Sequence, residues 1–193
     1  TILELFTFDE LELQMNRLAK VIRENENIFE KDIVNQIIER RRLFREEIVD
    51  VSMKFARQIE SIFRNPDTDF NFLQERIKKA SDYFFKKLND LENINEIINE
   101  TDNKNVNLAV KTILDMIREM LYVKTACLNL TQNGFDLEKY LEVKNKKTIE
   151  AENLKSSKLK SKSVGKNDKP LFEALMKWRD EKAFELDKPE TQI

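Results

Sequence analysis

The feature that most constrains this chain is a single apolar seam. Ile33, Ile37, Phe44, Ile48, Val51, Phe55, Ile59 and Ile62 fall within about 80° of one another when each residue is turned by roughly 100°. The spacing predicts a helix from about Phe29 to Phe63, near 50 Å long at roughly 1.5 Å per residue. A helix of that length does not persist alone in water, so it needs apolar partners along most of its face. Asn65-Pro66-Asp67 ends it, because proline disfavours helical geometry in the residue before it.

The partners are legible nearby. Leu11, Met15, Leu18 and Ile22 form one helical stripe, with Asp9 placed to cap it and Asn25 and Asn27 to interrupt it. Leu73, Ile77, Ala80, Phe84, Leu88 and Leu91 form another. Val106, Val110, Ile113, Ile117, Leu121 and Leu128 form a third, opened by Thr101 or Asp102 and closed by Asn133-Gly134. Phe135 is placed to fold back after that cap, and Asp136 to start a helix through Leu137 and Leu141 that fades into lysines. Thr1 to Phe8 is apolar without a period and reads as a linker tail or short strand. The asparagine-rich stretch 89–107 reads as a brief helix around Ile94, Ile97 and Ile98, followed by a turn. These seams are short and mutually different, with no repeat of 20–50 residues. They predict an all-α fold, an antiparallel bundle of long unequal helices over residues 1–143.

From 144 to 169 the composition changes to nine lysines against three carboxylates, with four serines, and predicts a solvated tether. Residues 170–193 then predict a tethered C-terminal amphipathic helix, opened by Asp168 and Pro170, carrying Leu171, Phe172, Leu175, Met176, Ala183 and Leu186, and stopped by Pro189.

Composition removes most familiar chemistries. With 2 Gly, 1 Cys and no His, the chain cannot build glycine-rich phosphate loops, histidine-dependent triads or Cys/His zinc modules, and no cofactor is expected in it. Its 36 carboxylates make chance acid pairs inevitable, and spacings such as Glu75 to Lys79 suit solvated helix faces. No stretch approaches the roughly 18 apolar residues of a membrane helix. Cys127 reads as a small core residue and fits a reducing compartment, so a cytoplasmic location without membrane contact is expected. The first residue is Thr1, not Met, which suggests a piece of a longer protein or a processed product.

Net charge is only −2, so attraction to a polyanion has to be local. Three places qualify. Arg40, Arg41, Arg42 and Arg45 are candidate DNA contacts, but Arg40 and Arg41 flank the seam, where their stems can cover the core and pair with Glu39, Glu46 or Glu47. Lys155, Lys158, Lys160 and Lys162 could track phosphates with a steep loss of grip as salt rises, or serve only as a soluble tether. Lys177, Arg179 and Lys182 surround Trp178, a pattern that suits base stacking or packing against further helices.

Two segments resemble known proteins. Leu171-Phe-Glu-Ala-Leu-Met-Lys-Trp-Arg-Asp-Glu-Lys-Ala-Phe-Glu-Leu186 resembles the first helix of an HRDC domain, the helical module appended to RecQ-type helicases and RNase D relatives. The stretch carrying Leu73-Gln-Glu-Arg-Ile-Lys-Lys-Ala-Ser81, Glu100-Thr-Asp-Asn-Lys104, and Ala126-Cys-Leu128 leading to Asn133-Gly-Phe135 resembles the C-terminal region of bacterial PIF/RecD-like ATP-dependent DNA helicases. The HRDC pattern is truncated at Ile193, and Walker A and B motifs are absent. The resemblance therefore implies a non-catalytic accessory region, unable by itself to bind ATP or unwind DNA. Its implied partners are a helicase motor in cis and DNA, held weakly and with strong salt sensitivity. The rival reading is a helical scaffold or dimerisation protein with no nucleic-acid role.

Overall fold

The computed structural model describes residues 2–64, 69–91, 94, 98, 99, 101–162 and 178. Among them there are helices and turns and no strand. The chain divides into two compact units, Thr1–Ala151 and Glu152–Ile193.

The N-terminal segment corrects the expectation of a tail or strand. Ile2–Leu5 forms a single helical turn, α1, and Leu5, Phe6 and Phe8 are buried. Aromatic packing explains why so short a piece is ordered. The Phe6 ring meets Phe55 edge-on at 4.8 Å and Phe84 at 5.7 Å, and Phe8 meets Phe84 at 5.1 Å. Helix α2 spans Asp9–Glu24, burying Leu11, Met15, Leu18 and Ile22. Phe8 occupies the cap position, so Asp9 does not cap; it stands in the first turn with Glu10 and Glu12, where negative charge meets the positive end of the helix dipole. After α2, Asn25 Nδ2 donates to the Val21 carbonyl at 2.8 Å, and Glu26–Ile28 turns as a 3₁₀ segment.

The long seam is one continuous helical run in three parts: α3 (Lys31–Leu43), a π-helical segment (Phe44–Val49) and α4 (Asp50–Phe63). A π turn takes in an extra residue, which moves the buried face forward by one. Val51 is only half-buried, and Val49 and Ser52 take its place beside Ile48 and Phe55. The Ser52 hydroxyl donates to the Val49 carbonyl at 2.8 Å. Residues 65–67, expected to end α4, lie outside the described residues.

Helix α5 spans Phe70–Asn89, capped by Asp69, whose carboxylate accepts from the Asn71 and Phe72 N–H groups at 2.8 and 3.4 Å. Helix α6 spans Lys104–Thr131. Its cap is Asn103, accepting from Asn105 and Val106, and not the expected Thr101 or Asp102; Thr101 supports the cap by accepting from the Asn103 N–H at 3.3 Å. After α6, Gly134 takes φ +118°, the left-handed region that glycine favours. Gln74 on α5 secures this turn in both directions: Phe135 N–H donates to Gln74 Oε1 at 2.7 Å, and Gln74 Nε2 donates to the Phe135 carbonyl at 3.2 Å. Asp136 accepts from the Lys139 N–H and opens α7, Leu137–Lys162. Its helix does not fade at Lys144 but continues through the lysine-rich stretch as far as Lys162.

Cross-helix pairs give the directions. On α2 and α3, Asn16 meets Arg41, and Glu12 meets Arg45 just beyond. Glu47 meets Lys87 and Gln58 meets Arg76 along the next pair, while on α5 Ser81 meets Thr131 at the end of α6 and Gln74 meets Phe135 in the turn just after it. One number rises as the other falls in every case, so sequential long helices pack antiparallel. Ser81 and Thr131 share a hydrogen bond of 2.7 Å between two buried hydroxyls, so each satisfies the other inside the core.

Candidate nucleic-acid interface

The arginine run sits where α3 passes into the π segment, with its side chains exposed or half-buried. The four arginines are not equivalent. Arg42 is clasped by both neighbouring acids, Glu39 and Glu46, at 2.6 Å each. Those bonds push its guanidinium pKa further up and draw the Glu39 carboxyl below the usual range. Arg45 reaches across to Glu12 on α2 at 2.7 Å and to Asp50 at 3.0 Å. Its pKa is raised, chiefly by the Glu12 hydrogen bond. Arg40 and Arg41 hold neutral acceptors instead: Arg40 Nη1 donates to the Asp90 carbonyl at 3.2 Å, and Arg41 Nε donates to Asn16 Oδ1 at 2.6 Å. A phosphate approaching Arg42 must compete with two carboxylates, whereas at Arg41 it displaces one amide oxygen.

Lys155, Lys158, Lys160 and Lys162 lie on the last turns of α7. Trp178 is exposed, while Lys177, Arg179 and Lys182, together with the rest of the HRDC-like segment, lie outside the described residues.

A second basic group escaped the sequence reading. Lys124 lies on the apolar stripe of α6 between Leu121 and Leu128, and its amine donates to the carbonyls of Glu4 and Leu5 at 2.6 and 3.1 Å. It also stands 5.2 Å from the centre of the Phe8 ring. These are the carbonyls at the C-terminal end of α1, so Lys124 does for that turn what a basic cap does for a longer helix. Desolvation draws its pKa down to about 8, and burial pushes the neighbouring Cys127 thiol up. Lys144 pairs with the Glu4 carboxylate beside it, which holds that carboxyl below its usual range. Cys127 is 2% exposed, the small core residue expected from the sequence.

On the outer face of α6 and α7, Lys147 bonds Glu150 and the Tyr122 hydroxyl at 2.7 and 2.9 Å. The Glu150 bond leads in raising the Lys147 pKa to about 12. A depression open to solvent is lined by Ile28 and Asp102, Asn103, Lys104 and Asn105, which do not make an acid/base pair. Among the described residues, no group of three or more His, Cys, Asp or Glu is placed to hold a metal ion, and no helix is long and apolar enough to cross a membrane.

A family described as the DNA helicase middle domain matches residues 1–156, which takes in the whole of the first unit. No curated protein and no solved structure matches. The helicase resemblance seen in the sequence agrees with this at the level of the family, while neither the PIF/RecD type nor the HRDC module is part of the match. With more than half of its length matched, the chain belongs to the DNA helicase middle-domain family.

Proposed function

We propose that this chain is a non-catalytic accessory region of a PIF/RecD-like DNA helicase, lying outside the ATP-hydrolysing motor and coupling it to DNA or to a partner, with residues 171–186 beginning an HRDC-like module. The observation that carries the helicase-accessory reading is the family match over residues 1–156, while the PIF/RecD type and the HRDC-like start rest on the resemblance of the segments quoted above. The glycine-poor composition supports it, because the phosphate-binding loops of a motor then have to be supplied elsewhere in the parent protein. Of the arginine run, Arg40 and Arg41 are the residues best suited to phosphate, since neither has to be freed from a carboxylate.

Fluorescence anisotropy with labelled single-stranded DNA tests the DNA arm. The expected result is binding at about 20 mM salt that falls steeply as salt rises, with a slope reduced by roughly 0.7 when Arg41→Gln removes a phosphate contact. Absence of binding at about 20 mM removes the DNA role and leaves coupling to a partner. The complete reading frame should also encode a Gly-x-x-x-x-Gly-Lys-Ser/Thr motif; a frame without one sinks the helicase parent.

A further inference from the structure

The long seam changes phase at the π segment, and two sets of residues there compete for one place in the core. In an unbroken α-helix Ile48, Val51, Phe55, Ile59 and Ile62 share a face, and that face is wholly apolar. The structure instead buries Val49 at 1% exposure and Ser52 at 4%, and leaves Val51 and Ile62 half-buried. Ile48, Phe55 and Ile59 are buried in the structure and belong to the apolar face of the unbroken helix as well. The two phases therefore differ by an exchange of Val49 and Ser52 for Val51 and Ile62. The present phase carries a hydroxyl into the core and takes two aliphatic side chains partly out of it, which the seam by itself does not favour.

Contacts from the neighbouring helices hold that phase. Glu47, within the π segment, is gripped twice by α5: the Tyr83 hydroxyl donates to its carbonyl at 2.8 Å, and the Lys87 amine pairs with its carboxylate at 2.7 Å. Arg45 fastens the segment to α2, pairing with Glu12 at 2.7 Å and also with Asp50 at the head of α4 at 3.0 Å. Inside, the Ser52 hydroxyl is satisfied by the Val49 carbonyl at 2.8 Å, so the buried polar atom has its partner. The charged side chains of the grip stand partly in solvent, Lys87 at 31% and Glu47 at 43%, so they can part without opening the core. A helix that loses its π turn rotates every residue beyond it by one position, about 100°. Packed elements step between discrete arrangements rather than deform continuously, so a one-residue step is the change this run has available.

We propose that the α3–α4 run is a two-register device. With Glu47 held by Tyr83 and Lys87 it keeps the π turn and buries Val49 and Ser52; with Glu47 released it becomes continuous α-helix, turning α4 so that Val51 and Ile62 enter the core and Ser52 faces out. The test places single cysteines in the 193-residue chain, Val51→Cys or Ser52→Cys, and reads alkylation at each by peptide mass spectrometry. The buried Cys127 serves as an internal measure of general opening. In the natural background Ser52→Cys should be protected and Val51→Cys reactive. Adding Tyr83→Phe and Lys87→Met should raise alkylation at Ser52→Cys roughly tenfold, the effect of one hydrogen bond and one half-exposed ion pair together. Val51→Cys should hold or slow, and Cys127 should not change. Deleting Glu46 from that background takes out the extra residue, so that regular α-helix then presents the same buried faces as the π form; protection of Ser52→Cys should return. A rise at both positions, or at Cys127 in step with them, reports loosening without a change of register and overturns the proposal. So does a Ser52→Cys rate that ignores Tyr83 and Lys87, or one that deletion of Glu46 does not bring back down. Tyr83→Phe alone keeps its ring against Phe84 and gives the same comparison at smaller amplitude should the double variant melt early by circular dichroism.

Discussion

Lys124 shows how much one side chain decides. A charged amine on an apolar stripe costs desolvation, and the carbonyls of Glu4 and Leu5 offset part of that cost by accepting from it. In the unfolded chain the amine keeps its proton up to the ordinary lysine range near 10.5, whereas in the fold it releases it at about 8. Between those values the unfolded state binds the extra proton, so this residue makes stability rise with pH from about 8 to 10.5; the gain is fully present above that window and lost as pH falls through 8. Glu4, Glu10, Cys127 and Lys144 also act on this site, so the contribution has to be isolated by difference. Urea unfolding across pH 7.5 to 10.5 should give a stability difference between the natural chain and Lys124→Met that grows with pH. A pH-independent difference would count against a depressed lysine. Nothing in the sequence marks this residue except its place in the seam between Leu121 and Leu128; its acceptors come from a turn some 120 residues away. The same holds for the arginine run, which is plain as a group of cations while two of its partners, Glu12 and Asn16, are supplied by another helix.

Among the long helices described, the run from α3 to α4 is interrupted by the π segment at Phe44–Val49, and its brace comes from α5. The Tyr83 hydroxyl donates to the Glu47 carbonyl at 2.8 Å, and Lys87 pairs with the Glu47 carboxylate at 2.7 Å, which raises the lysine's pKa. A helix whose ladder is interrupted leaves carbonyls in need of donors, and Tyr83 supplies one. Tyr83→Phe should therefore cost about 1 kcal/mol, read as a lower urea midpoint with unchanged helical content. The seam itself was readable because a period near 3.6 survives over many residues. The π turn was not, because Val49 and Val51 are both apolar and a seam of either phase can be drawn through them. Helix α1 is too short to show any period, and its order comes from Phe6 and Phe8 against rings on α4 and α5. In contrast, the glycine of the Gly134 turn and the Asp136 cap could be read residue by residue, since their backbone conformation and capping bond are local, while the Gln74 brace on Phe135 is not. Exposure of Phe63, Phe70 and Phe72 depends on how far the neighbouring helices reach, which no local pattern encodes.

At the scale of the whole molecule, the first unit ends at Ala151 and the family match at residue 156. The packed core from Leu5 to Tyr140 lies within that unit. A chain ending at Ser156 should therefore melt in one cooperative transition at the temperature of the corresponding transition of the full chain. A broad, non-cooperative melt would show that the later residues are needed for the core. One contact gives this unit a mechanical character. Lys124 holds the backbone of α1 and Lys144 holds its Glu4 side chain, so the start of the chain is fastened to α6 and α7 as well as being joined to α2. A pull entering at Ile2 is borne by those two lysines, which lie far along the sequence, and by the buried Phe6 and Phe8 before it reaches α2. The first turn works as a strain relief, in the way a cable clamp spares the solder joint behind it.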